Sequence, residues 1–236
     1  MAALRALDIL QITGRSQSHL SRSQTFSLLA HPLALKALET LRQHASRASF
    51  DLIALSGFRS FERQLSIWNA KAQGTRPLLN DQGAELSFDQ LSPLEIVHAI
   101  LRWSALPGAS RHHWGTDFDI AAKNLLPSPD YVLQLTPDEV APDGIMGAFH
   151  LWLDEFFASN QDIGFYRPYD IDRAGVAPEM WHISYFPLAE KFKQALDQRT
   201  LFSVIEDSEI ELKDILLEHQ DEIYSRYIVN VAKAPY

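Results

Sequence analysis

No cysteine occurs in the 236 residues. Disulfides and thiolate-held metal are therefore excluded, and the redox compartment is left open. Clustered positive charge is missing as well: 21 lysines and arginines stand against 30 acidic residues, a net charge of −9. A phosphate-binding surface needs the opposite balance, so nucleic acid is excluded as a partner. No apolar run approaches the ~20 residues that span a bilayer. The stretch from Met1 to Ile12 carries an early charge pair and no unbroken apolar core ahead of a small-residue cleavage site, so it does not read as a secretory signal. A soluble, cytoplasmic chain is the expectation. Repeats and low-complexity tracts are also absent. What remains is a globular composition, 46% hydrophobic and 22% charged, at a length suited to one well-buried domain.

Helical and extended patterns alternate along the chain, separated by long irregular connections. Residues 32 to 48 carry Leu35, Leu38 and Leu41 on one face, with Pro32 in the first turn, and read as an amphipathic helix. Phe50 to Ser56 is a short apolar run that suits a buried strand ending at Gly57. A second helix is expected from Phe61 to Gln73, closed by Gly74. Ser92 to Glu95 (SPLE) is a capping box that starts a third helix running to about Ala105. Residues 75 to 91 and 122 to 144 read as irregular. Residues 117 to 120 and 180 to 186 read as strands, and 147 to 159, 188 to 196 and about 209 to 227 as helices. Mixed elements without regular βαβ alternation point to one α+β domain with a small, mainly antiparallel sheet flanked by helices.

Two segments carry the chemistry. Ser110 to Asp119 reads SRHHWGTDFD and Glu179 to His182 reads EMWH. Together His112, Asp119 and His182 offer two imidazoles and one carboxylate, a set that can hold Zn²⁺ and leave its fourth position to water. Glu179, three residues before the last ligand, is then the general base. His113 is an alternative to His112 as ligand. A regular strand would point Glu179 and His182 to opposite faces, so a bend near Met180 and Trp181, or a strand that starts after Glu179, is required. The other histidines, His19, His31, His44, His98, His150 and His219, read as structural.

The spacing follows the pattern Ser-x-His-x-x-Gly-x-x-x-Asp with a later Glu-x-Trp-His. With Ser56 to Gln64 (SGFRSFERQ) and the Pro107-Gly108 pair, residues 30 to 190 resemble the VanY-like zinc D-alanyl-D-alanine carboxypeptidases. That group shares its fold with murein endopeptidases and the Hedgehog signalling domain. The resemblance implies a Hedgehog/DD-peptidase-like zinc fold; the peptidase domain with its helical lead-in is expected over residues 1–197, and residues 198–236, outside the resemblance, as a helical extension packed on the same domain. It implies Zn²⁺ as cofactor, a murein-type peptide as partner, and removal of a terminal D-alanine as the activity. Arg59 becomes the residue that stabilises the oxyanion or holds a substrate carboxylate. Gln64 and Ser110 become hydrogen-bonding residues that orient the peptide, and His113 and Trp114 pocket-lining residues. Asp117 departs from the small apolar residue of many carboxypeptidases in the group, and some murein endopeptidases carry Asp there. On a strand it shares a face with Asp119 and can accept a histidine N–H. An endopeptidase, or a non-catalytic zinc-binding module, is the alternative reading.

Overall fold

A computed structural model describes residues 7–235 of the chain; residues 1 to 6 of the helical lead-in lie outside it. Four strands make the principal sheet: β1 (Leu52–Ser56), β2 (Asp117–Ala122), β3 (Phe165–Tyr166) and β4 (His182–Tyr185). Their spatial order is β1-β2-β4-β3, and every neighbouring pair is antiparallel. A separate two-residue ribbon pairs Ser21–Arg22 with Leu29–Ala30.

The central strand β2 is buried along its whole length. Phe118, Ile120 and Ala122 pack into a cluster with Leu38 and Leu41 of α1 (Pro32–Arg47) and with Phe149 and Leu153 of α4 (Gly147–Ser159). Asp117 and Asp119 alternate with them and turn to the other face, as the two-residue strand period requires. Beyond that face lies the second cluster. It gathers Trp68 of α2 (Phe61–Ala72), Val97 and Ile100 of α3 (Pro93–Trp103) and Phe192 of α5 (Phe186–Ala195). The capping box at Ser92 and Glu95 forms as expected and starts α3.

Ala232 and Ala234 pack in a small separate cluster with Tyr166, while residues 201 to 228 feed the second cluster. Leu201, Phe202 and Ile205 of α6 (Gln198–Glu206) are buried in it, as are Leu216 of α7 (Lys213–Glu218), Ile223 and Tyr227. The single helix expected over 209–227 is not formed. Leu212 takes a left-handed φ of 62° ahead of α7, His219 leaves helical geometry after it, and the chain continues as one turn at Gln220–Ile223 and a π-turn at Tyr224–Ile228. The apolar period survives because each short segment turns its own residues to one curved core.

Two other expectations change. The stretch read as irregular before α4 contains a helical turn at Pro137–Val140, started by a Thr136/Glu139 capping box; a single turn is too short to leave a periodic signal. The strand expected from Met180 starts at His182 and ends at Tyr185, because Phe186 already belongs to α5.

Candidate metal centre

Ser56, Asp119 and His182 lie in one row across three adjacent strands. The register pairs Ser56 of β1 with Asp119 of β2, and Asp119 with His182 of β4. Directly opposed residues share a face, so this row points away from the apolar cluster behind the sheet. His112 reaches the row from a tight helical turn, Arg111–Trp114, which ends at Gly115 with a left-handed φ of 67°. A side chain at Gly115 would meet the His31 backbone nitrogen and strike Leu20. Glycine is thus required both for the turn and for the close approach.

The donor atoms can be assigned. His112 Nδ1 lies 2.8 Å from the Gly57 carbonyl. A carbonyl only accepts, so Nδ1 carries the proton and Nε2 is free. His182 Nε2 lies 3.0 Å from Asp117 Oδ1, which fixes the proton on Nε2 and frees Nδ1. His112 Nε2 is 3.4 Å from Asp119 Oδ2, and His182 Nδ1 is 3.4 Å from Asp119 Oδ1. The ligand atoms of all three residues fall within 4.8 Å of one another. Tetrahedral coordination with bonds of ~2.1 Å separates neighbouring ligand atoms by about 3.4 Å, so the spacing suits a metal of zinc's size. Ser56 Oγ donates to Asp119 Oδ2 and limits its rotation.

The charges call for a cation. Burial pushes the His112 imidazole down to about 4, although Asp119 pulls the other way. Burial also works against the Asp117 carboxylate, but Arg111 beside it and the His182 hydrogen bond hold it at about 2. Asp119 stays below the usual carboxylate range despite burial, through His112, His182 and Ser56. His182 is held well above the ordinary histidine value by Asp117, Asp119 and Glu179, again against burial. Three carboxylates around two imidazoles thus favour one positive charge at their centre.

Glu179 reaches the cluster through a turn. The His182 N–H donates to the Glu179 carbonyl at 3.0 Å, and the Glu179 N–H donates to the Tyr169 carbonyl at 2.9 Å. This tight turn ahead of β4 is the bend that the sequence requires. It brings Glu179 Oε2 to 3.4 Å from His182 Nδ1. Arg167, itself buried, donates from Nε to the Met180 carbonyl at 2.9 Å and holds the turn from behind.

A cavity of about 450 Å³ opens on the three candidate ligands, Glu179, Arg59 and Ser110. Ser110 Oγ is buried there with no hydrogen-bond partner among the described residues. Gln64 does not line the cavity. It is fully buried behind Arg59, accepting from Arg59 Nη1 at 3.0 Å and donating to the Ala105 carbonyl at 2.7 Å. Gln64 thus faces Arg59 rather than the cavity. His113, expected to line the pocket, does not: its ring is buried, with Nδ1 donating to the Arg59 carbonyl at 2.6 Å and Nε2 accepting from the Gly108 N–H at 3.1 Å. Burial pushes its imidazole down to about 3. Both ring nitrogens are engaged, so His112 is the better placed ligand. Trp114 does line the cavity, with Nε1 donating to the Ile12 carbonyl at 3.1 Å.

Sequence reasoning missed Arg111, Tyr169 and the C-terminal wall. Arg111 Nε donates to Asp117 Oδ1 at 2.7 Å and Nη2 to Ser184 Oγ at 2.6 Å. The sequence offered one hint, an arginine inside the motif that supplies His112 and Asp119. Tyr169 sets its ring edgewise against His182, with centroids 5.1 Å apart. Tyr227 and Val229 line the cavity from the far C-terminal segment, and nothing in their local sequence marks them.

A family model described as D-alanyl-D-alanine carboxypeptidase, VanY, matches residues 27–188. The chain belongs to the VanY family. It is thus a member of a peptidase family, with a potential His/Asp/His metal site. Two relatives from Haemophilus influenzae are each described only as an uncharacterized protein. One is 42% identical over 98 residues, covering 40% of this chain and 67% of that protein. The other is 38% identical over 127 residues, covering 52% and 93%. Among solved structures, VanYB in complex with D-alanine-D-alanine is 22% identical, covers 79% of this chain and 87% of its own, and has a TM-score of 0.49. The LdcB LD-carboxypeptidase is 23% identical over 77% and 76% of the two chains, with a TM-score of 0.43.

Proposed function

We propose that this VanY-family chain is a zinc-dependent carboxypeptidase that removes the C-terminal D-alanine from peptidoglycan-type peptides ending in D-Ala-D-Ala. The observation that carries the reading is the convergence of Glu179 and Arg59 on the cavity that holds His112, Asp119 and His182. A purely structural metal site needs neither a base nor a cation beside it, which speaks against a non-catalytic module.

His112, Asp119 and His182 would hold Zn²⁺, which would supply a bound water of lowered pKa and a Lewis acid for the scissile carbonyl. Glu179 accepts the proton of the attacking water and delivers it to the leaving amine nitrogen. The turn from Glu179 to His182, which brings this carboxylate to 3.4 Å from His182 Nδ1, supports that role. Arg59, braced by Gln64, neutralises negative charge on the oxyanion or on the terminal carboxylate. The unpartnered Ser110 hydroxyl is available to hydrogen-bond the peptide.

Mass spectrometry of a murein pentapeptide ending in D-Ala-D-Ala tests the reading, with zinc-loaded and metal-stripped protein side by side. Loss of a single terminal alanine only with metal is expected. The same peptide with an amidated C-terminus should resist; internal cleavage, or peptide-bond cleavage of the amidated peptide, would instead identify an endopeptidase.

A further inference from the structure

Arg102, in the last turn of α3, touches two separate loops with one guanidinium. On one side Nε lies 2.8 Å from Asp81 Oδ1. On the other, Nη1 and Nη2 donate to the Asp172 carboxylate at 2.9 and 2.6 Å, and Nη1 also donates to the Gly175 carbonyl at 2.9 Å. Neighbouring groups repeat the pattern. The Arg102 carbonyl accepts from the Ala177 N–H at 2.9 Å, and Trp103 Nε1 donates to the Asn80 carbonyl at 3.1 Å. Residues 102 and 103 thus tie the 79–83 loop to the 169–177 segment.

Both tied segments line the cavity, through Leu79, Gln82 and Gly83 on the first and Tyr169 and Val176 on the second. The second runs on directly into the Glu179 turn. Arg102 itself does not line the cavity, so it has no direct contact with a bound peptide there. Its side chain is 11% exposed, whereas Asp81 and Asp172 lie at the surface. The planar fork fixes the angle to Asp172 as well as the distance, which a point charge does not do. Without the shared guanidinium, two like charges would be left facing the same site.

We propose that Arg102 is a positioning residue that holds these two segments at a fixed separation and so sets how tightly the cavity grips its substrate. The inference rests on the carboxypeptidase reading and adds to it a residue remote from the reacting atoms. Freed from Arg102, the two segments sample wider separations, and each binding event must first bring them together. The metal ligands and the base are untouched once the peptide is bound. The loss therefore falls on KM rather than on kcat.

The test uses zinc-loaded full-length protein and the pentapeptide ending in D-Ala-D-Ala. Arg102→Met should raise KM about tenfold, equivalent to ~1.4 kcal/mol, with kcat and zinc content near wild type. Asp81→Asn alters an exposed side chain and should reproduce part of that rise. In the Arg102→Met background it should add nothing, because the two changes break one contact. A merely structural Arg102 would lower the urea midpoint and leave KM where it is. An unchanged KM in Arg102→Met, or full additivity with Asp81→Asn, would overturn the inference while leaving the carboxypeptidase reading in place. If Arg102→Met does not fold, Asp81→Asn and Asp172→Asn carry the test, and an unchanged KM in both would overturn it. If the wild type releases no alanine, the carboxypeptidase reading fails instead. Amide hydrogen exchange then decides the Arg102 question: Asp81→Asn should speed exchange over residues 79–84 and Asp172→Asn over 170–177, and unchanged exchange in both would overturn the positioning role.

Discussion

Asp117 Oδ1 accepts from His182 Nε2 at 3.0 Å and from Arg111 Nε at 2.7 Å. One buried oxygen therefore ties a candidate ligand to a buried guanidinium. The arrangement fixes the His182 tautomer and leaves Nδ1 for the metal. Outer hydrogen bonds of this kind are worth about 10- to 100-fold in metal affinity. Asp117→Asn should weaken zinc binding by that factor, measured by competition with a chelator of known affinity. An unchanged affinity would mean that β4 alone orients the ring.

Gln64 touches Arg59 and the Ala105 carbonyl, but not the cavity. Gln64→Ala should lower turnover through a misplaced Arg59 while the zinc content stays at wild-type level. Misplacing a catalytic group by about 1 Å can cost on the order of 100-fold. Gln64→Glu offers Arg59 a charged acceptor and should recover part of the rate; full activity in Gln64→Ala would remove the positioning role.

His150 supplies a pH-dependent prediction away from the metal. It is buried beside Arg167, and burial together with that cation pushes its imidazole down to about 3. Because the folded value lies below the unfolded value of about 6.5, the unfolded chain takes up the proton first as pH falls. The wild type therefore loses stability from pH 6.5 toward 3, by up to ~1.4 kcal/mol per pH unit from this group. His150→Phe has no such group, so the stability gap between the two proteins should narrow from pH 7 to pH 5. Urea midpoints at the two pH values measure it, and a constant gap would contradict the assignment.

Leu201 belongs to the segment beyond the family match and is fully buried in the cluster with Trp68 and Phe192. Leu201→Ala should cost about 3.5 kcal/mol, the middle of the range for a cavity left in a packed core. Removal of residues 198 to 236 should expose that cluster and leave no cooperative unfolding transition. A stable, cooperatively folding 1–197 fragment would show that the extension is separable.

Much of the site was legible because its residues sit in compact motifs. His112 and Asp119 lie on one turn-and-strand unit, and Glu179 and His182 within one turn. The two-residue strand period also anticipated the shared face of Asp117 and Asp119. What stayed hidden depends on contacts between distant segments. Arg111 meets Ser184 across 73 residues, and Tyr227 reaches the cavity from a C-terminal segment that folds back on α3, where its hydroxyl lies 3.0 Å from His98 Nδ1. Gln64 lies behind Arg59 rather than on the cavity, which a motif cannot show, since it does not reveal whether a side chain faces a cavity or a neighbouring arginine. The helix expected over 209–227 failed for a related reason: an apolar period records which residues meet the core, and a broken, curved path can keep that period.

Zinc content and alanine release, measured on the same samples of wild type, Glu179→Ala and His182→Ala, test the central claim most directly. Glu179→Ala should keep about one zinc per chain and lose on the order of 100- to 10,000-fold in turnover, the range for a general base. His182→Ala should lose both metal and activity. A Glu179→Ala protein that hydrolyses the peptide at the wild-type rate, or a His182→Ala protein that retains its zinc, would contradict the account.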